Sequence, residues 1–179
     1  MTRGNKVQST LTSASVATPI GALVVIEDET DALFMVEFAD CDDRMERWLH
    51  HRLASGRFAL RAGTVSRRTR EAFAAYFDGG VGSLRDLPVR LDGTPFQNAM
   101  WTALRDIRPG ETLAYGAFAL RLGRPQAARA VGHANGSNPM SIVVPCHRLV
   151  GANGDLTNYG GGLERKRWLI DHEARHAAS

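Results

Sequence analysis

The sequence predicts an α+β protein in two parts: a small N-terminal α/β domain, then a mostly helical C-terminal domain holding a helix-turn-helix and Cys146. Three observations carry that prediction. Two β-branched and aromatic runs, residues 23–26 and 33–38, flank an acidic turn and read as a hairpin. Gly93-Thr94-Pro95 opens a stretch of helical periodicity. Further on, two short helical segments surround Gly123-Arg124-Pro125, which fits a helix-turn-helix. A chain of 179 residues holds one domain or two small ones. The expected boundaries are a disordered tail over 1–17, an N-terminal domain over 18–91 and a C-terminal domain over 92–179.

The elements follow in order. The first 18 residues are polar and Ser/Thr-rich, without the apolar centre of a signal peptide, and read as a poorly ordered tail. After the hairpin, residues 44–54 and 67–77 read as helices, the second with Phe73, Tyr76 and Phe77 on one face. Residues 87–91 look like a short strand that closes the domain. In the second half Thr94 suits an N-cap, with Pro95 at the first helical position. Phe96, Met100, Leu104 and Ile107 form the apolar stripe of that helix, and Pro109-Gly110 ends it. Short helices are expected over 115–122 and 126–135.

Composition narrows the function classes. Hydrophobic residues at 44% are enough for a core. No apolar run approaches the roughly 20 residues that span a bilayer, so a cytoplasmic protein without a membrane partner is expected. Residues 27–46 carry nine acids against Arg44 alone, whereas residues 99–179 carry ten Arg/Lys against six acids. A basic C-terminal half suits a polyanion, although scattered solvated Arg would explain the count equally well. Two cysteines, Cys41 and Cys146, make no disulfide framework. There is no CxxC and no zinc-like His spacing, so no metal and no cofactor is expected.

The helix over 126–135 has an unusual composition. Ala127, Ala128, Ala130 and Ala134 are small, and Arg129 is its one permanent charge. Small residues serve close helix packing, or a helix narrow enough to enter a DNA groove. After it comes Asn138-Pro-Met-Ser-Ile-Val-Val-Pro-Cys146-His147-Arg148. Residues 142–144 look like a buried extended piece, and Pro145 disfavours a helical Val144, so the chain bends into Cys146. A thiol becomes a thiolate beside a base or a cation, and His147 and Arg148 supply both types. Neighbours in sequence do not face each other on a helix, so His147 must act through a water or a tight turn. Its imidazole needs an orienting acceptor, for which Glu173 is the candidate. Taken alone, a Cys beside an apolar run is more often an inert buried thiol. Cys41 lies among carboxylates, which raise a thiol pKa, and reads as structural or incidental.

Pro145-Cys146-His147-Arg148 resembles the active-site signature of the O6-alkylguanine-DNA alkyltransferases, the methylated-DNA–protein cysteine methyltransferases. Gly93-Thr94-Pro95-Phe96-Gln97, Trp101, Gly110-Glu111-Thr112, Tyr115, Arg129-Ala130-Val131-Gly132, Asn138-Pro139, Tyr159 with the glycines that follow, and Lys166 recur in that family's order. The resemblance is strong over residues 92–174 and weak at Thr18-Pro19-Ile20-Gly21, and is closest to the stand-alone bacterial type. It implies direct-reversal DNA repair: one alkyl group, methyl in the simplest case, passes irreversibly from O6 of guanine (O4 of thymine is left open) to Cys146 after the nucleotide flips out. Cys146 would be the acceptor, His147 the base through a water, Glu173 its orienting partner, and Asn138 the holder of the turn. Tyr115 would meet the guanine edge and protonate N3. Tyr159, Gly160, Leu149 through its carbonyl, and Arg148 would complete the substrate pocket. Arg129, Ala127, Ala128, Ala130, Gly132, Thr94 and Gln97 would form the DNA-binding set, in the minor groove of double-stranded DNA, with Arg129 filling the space of the flipped base. A monomer is implied, with cooperative binding on DNA left open. Departures from the pattern, Ser141, Leu149-Val150 and Asn158, bear on the room for bulky adducts.

Two other readings stay open from the residues alone. One is a lesion-recognition protein on the same scaffold, against which the reactive Cys146 argues. The other is a cysteine hydrolase with a Cys–His pair, for which no local signature is present. Stoichiometry separates the three: one alkyl group per chain, none, or many turnovers.

Overall fold

The structure, a computed structural model, describes residues 9–54 and 57–177. Its first element corrects an expectation. Residues 9–16, assigned to the tail by their polarity, form strand β1 (Ser9–Val16) inside a four-stranded sheet of order β3-β2-β1-β4. β1 runs antiparallel to β2 (Leu23–Asp28) and parallel to β4 (Phe58–Ala62), which was not expected either. Both strands lack a strong apolar pattern: within β1 only Leu11 is fully buried. Pairing on two edges holds β1 in place, and that tertiary effect outweighs propensity. The rest of the expected tail, residues 1–8, lies outside the described residues.

The expected hairpin is present as β2 and β3 (Leu33–Phe38), paired antiparallel from Leu23↔Phe38 onward. The buried side chains divide between two faces, with a register shift between Ile26 and Glu27 breaking strict alternation. Leu11, Ile26, Phe34 and Met35 pack under helix α1 (Asp42–Leu53). Leu23, Val25, Leu33, Val36 and Phe38 face α2 (Arg67–Phe77) and the C-terminal half. One hydrophobic core therefore continues from the sheet through α2 into the helices beyond residue 92.

The outer edge of β3 is covered by two short segments, which hides backbone groups that an edge strand would leave open. Leu33 bridges Val89, and Val36 bridges Met140. The strand expected over 87–91 reduces to the first of these bridges. Leu33 N donates to Pro88 O and Arg90 N to Leu33 O, both at 2.8 Å, but Pro88 has no N–H with which to extend a ladder.

The C-terminal half begins as its caps dictate. Thr94 and Gln97 form a reciprocal capping box at the start of α3 (Pro95–Leu104). Strand β5 (Leu113–Ala114) leads directly into α4 (Tyr115–Arg121), and Gly123, at φ +69°, turns the chain toward α5 (Ala128–Gly136). α5 starts two residues later than expected, because residues 124–127 close a turn in which Ala127 N donates to Arg124 O. Strand β6 (Leu149–Val150) pairs parallel with β5, and α6 (Leu163–His176) closes the fold. Among the described residues no helix is long and apolar enough to cross a membrane.

Candidate active site

Cys146, His147 and Arg148 form a single 3-10 turn, all three buried. The residues before it correct a second expectation. Residues 142–144 are buried, as anticipated, yet they turn instead of extending, and Ile142 sits at φ +71°. A β-branched residue is strained there, so its surroundings must over-determine it. Asn138, 1% exposed, does much of that work: its Nδ2 donates to Val144 O at 2.9 Å, and its Oδ1 accepts from Met140 N at 2.9 Å. The sheet edge does the rest, with Val36 N donating to Pro139 O and Ser141 N to Val36 O. The bend into Cys146 is thus anchored on the N-terminal sheet.

After the turn, β6 pairs with β5, which brings Tyr115, the first residue of α4, beside the Cys146 segment. The Tyr115 hydroxyl lies 3.5 Å from both Thr157 O and Asn135 Nδ2, and Asn135 Nδ2 also donates to Cys146 O at 3.2 Å. Tyr159 stands edge-on to His147, with ring centroids 6.4 Å apart. The glycines after Tyr159 are pressed onto the N-terminal domain. A Cβ at Gly160 would lie 2.6 Å from Arg44 Cζ, and one at Gly161 would lie 2.6 Å from the Phe38 ring.

His147 is fully buried, with Nε2 2.9 Å from Glu173 Oε1. Glu173 is buried too, and donors surround it. Oε1 also accepts from Arg148 Nη2 at 2.8 Å and Tyr76 OH at 2.7 Å, while Oε2 accepts from Arg148 Nε at 2.8 Å and Gly110 N at 3.4 Å. Burial alone would raise the Glu173 carboxyl; His147 and Arg148 outweigh it and hold the carboxyl well below the usual range. An ionised Glu173 can only accept, so His147 carries its proton on Nε2. That leaves Nδ1 as the basic atom, and Nδ1 is buried without a hydrogen-bond partner in the protein. Burial also pushes the imidazole below its ordinary 6.5, so it rests neutral.

The thiol of Cys146, 6% exposed, is likewise pushed up by burial, opposed first by the Asn138 side chain and then by Arg44 and Lys166. Both partners are therefore neutral at rest: a thiol and an imidazole with a free lone pair.

Arg148 departs from its expected place. Its guanidinium lies on Glu173 and on Ile107 O, which makes it a clamp for Glu173. A buried guanidinium needs a carboxylate, and the bidentate pair with Glu173 meets that need. Beside Arg44, Lys166 is the cation that acts on the Cys146 thiol instead. It is fully buried, donates to Leu149 O and Thr157 O, and is lowered by burial to about 8. The Leu149 carbonyl, expected to meet substrate, thus already accepts from the Lys166 ammonium.

α5 turns its buried Asn135 toward Cys146 and its exposed residues outward. Arg129 and Ala130 are exposed on α5, Ala127 and Ala128 are half-buried, and a Cβ added at Gly132 would meet open space. Thr94 and Gln97 lie at the start of α3, where Gln97 Nε2 donates to Ser137 Oγ just beyond α5. Cys41, half-buried, is pushed up first by burial and then by Glu37 and Asp40; its Sγ lies 3.5 Å from Gly160 O.

Three residues that sequence reasoning passed over join the site from the N-terminal half. Arg44 on α1 donates to Glu37 Oε2 at 2.8 Å, Gly136 O at 2.6 Å and Asn138 O at 3.0 Å, linking the end of α5 to the Cys146 turn. Glu37, buried on β3, also accepts from Ser141 Oγ at 3.0 Å. Tyr76 on α2 reaches Glu173. Arg44 was visible as the one cation in an acidic run; nothing local marked the other two.

Residues 95–175 match the model of a family described as 6-O-methylguanine DNA methyltransferase, DNA binding domain. The chain is 45% identical over 163 residues to the methylated-DNA–protein-cysteine methyltransferase of Salmonella typhimurium, covering 91% of this chain and 95% of that protein. It is 47% identical over 167 residues to the Shigella flexneri protein of the same name, with the same coverage. Among solved structures, Mycobacterium tuberculosis OGT in complex with DNA superposes with a TM-score of 0.76 at 35% identity, covering 93% of this chain and 94% of that one.

Proposed function

The chain belongs to the methylated-DNA–protein-cysteine methyltransferase family, and from that premise we propose that Cys146 is the acceptor of a methyl group taken from O6 of guanine in DNA. The function is direct-reversal DNA repair. One observation carries the residue assignment: His147 is pinned by Glu173 through Nε2 and keeps a buried, unpartnered Nδ1 on the residue next to the buried thiol of Cys146.

The chemistry follows from that arrangement. The thiol proton passes to His147 Nδ1 through a water, as sulfur attacks the methyl carbon. The C–O6 bond breaks as the S–C bond forms, and its electrons return to the purine. Tyr115 delivers a proton to N3, so guanine leaves neutral. The imidazolium formed is stabilised by Glu173, which Arg148 keeps ionised. The product is a thioether, which has no leaving group for a return step, so each chain acts once.

On the DNA side, O6 is buried in the stack and the nucleotide must flip out, at a cost of about a few kcal/mol that is least for a damaged base. The exposed Arg129 projects from a helix whose neighbours are small, suited to entering the minor groove and filling the gap. A planar guanidinium stacks where an ammonium does not. Double-stranded DNA bearing O6-alkylguanine as partner, a monomeric state and a cytoplasmic location belong to the same proposal.

Intact mass after incubation with duplex DNA containing O6-methylguanine tests it. One methyl mass per chain is expected, on the peptide holding Cys146, and none in Cys146→Ser. Methylation of Cys41 instead, or repeated turnover of the same chain, would overturn the assignment.

A further inference from the structure

Glu173 is held by neighbours that chain order explains, His147 and Arg148 on one turn, and by one that it does not. The hydroxyl of Tyr76 crosses from α2 to donate to Oε1 at 2.7 Å. Tyr76 is 1% exposed and fixed at both ends. Its carbonyl accepts from His172 Nε2 at 2.7 Å, and its ring meets Phe77 edge-on at 5.2 Å. A side chain so confined keeps its hydroxyl where it is.

We propose that Tyr76 is a positioning residue for methyl transfer: its hydroxyl shares one carboxylate oxygen with His147 and so sets how strongly Glu173 attracts the imidazole. The proposal rests on the reading of His147 as the base. Three donors converge on Oε1, from His147, Arg148 and Tyr76. A hydrogen bond to a charged acceptor draws charge toward its donor, so each donor weakens the pull on the others. Burial and the Glu173 charge push the phenol far up, so it donates at every working pH.

The groups that face His147 give the sign. Glu173 from α6 favours the imidazolium; Arg148 beside it and Lys166 from α6 oppose it. Tyr159 presents a ring edge. Tyr76 reaches His147 only through Glu173. Removing the hydroxyl leaves more of the carboxylate charge acting on His147, which raises the imidazole pKa. An imidazolium cannot take the proton of Cys146, so the acid side of the rate profile moves to higher pH.

The test uses the full chain, with single-turnover methyl transfer from duplex O6-methylguanine DNA and the ring-nitrogen NMR titration of His147, both from about pH 5 to 8, where imidazoles titrate. In Tyr76→Phe both midpoints should rise together by about half to one pH unit. Site-specific 3-fluorotyrosine at 76, a stronger donor of nearly the same shape, should move both the other way, and it carries the test if the Phe variant does not fold. If the wild-type rate limb does not coincide with the His147 titration, the base reading fails and the proposal falls with it. If they coincide but neither substitution moves them, Tyr76 is structural only and the proposal alone is wrong.

Discussion

Replacing Arg44 with Met tests whether the N-terminal domain holds the active-site turn. Methionine keeps the apolar stem and removes the guanidinium, so the donors to Glu37, Gly136 O and Asn138 O are lost. Glu37 is 3% exposed and would keep only the Phe38 N–H and the Ser141 hydroxyl. Stranding one member of a fully buried pair costs about 3–5 kcal/mol. Arg44 is 25% exposed, so water softens the loss, and about 2–3 kcal/mol is the expected cost. For a chain of this size about 2–4 °C of Tm accompanies each kcal/mol, so Tm should fall by roughly 5–10 °C. Thermal unfolding followed by circular dichroism reads this. Glu37→Gln combined with Arg44→Met should recover about half of the loss, because no charge is then left unpaired. Arg44 also helps to lower the Cys146 thiol, so the variant should react more slowly with iodoacetamide at neutral pH. A Tm within about 2 °C of wild type, or a double variant as unstable as the summed singles, would refute the clamp.

Two further outcomes are expected. Arg129→Ala should slow methyl transfer in saturating duplex DNA severely, yet barely affect transfer from a short single strand; an unchanged single-turnover rate would make Arg129 a phosphate contact only. Stability should fall with acid in two stages, because folding depresses both pKa values: the contribution of His147 is present above its ordinary 6.5 and lost as pH drops below it, and that of Glu173 is present above 4.5 and lost further down. Tm measured against pH reads this, and a Tm that stays flat from about pH 7 to 4 contradicts it.

The legible parts of this chain were those with local causes. Thr94, Pro95 and Gln97 announce α3 because a capping box is a three-residue device, and α2 matches its periodicity from Arg67 to Phe77. The Pro145-Cys146-His147 run and the distant Glu173 met in space as their chemistry required. The illegible parts have causes distant in sequence. β1 is a strand because β2 and β4 lie on both sides of it, and its own composition says tail. Arg148 reads as a cation for the thiol until Glu173 is seen to occupy it from both sides. Ile142 turns where β-branching argues for extension, because Asn138 and the edge of β3 dictate its backbone. Tyr76 lies 97 positions from its carboxylate, and no spacing rule connects them.

The glycines at 160 and 161 look like slack in the chain, yet they are the place where two halves of the molecule are fitted to each other. With Arg44 and the Phe38 ring occupying the volume that side chains would need there, only glycine fits behind Tyr159 without displacing them. The seat of Tyr159 is thus set at a joint between the two halves and not by the Cys146 segment alone. Grafting residues 92–179 onto a foreign N-terminal half would keep Cys146, His147 and Glu173 and still remove the surface against which Gly160 and Gly161 are fitted.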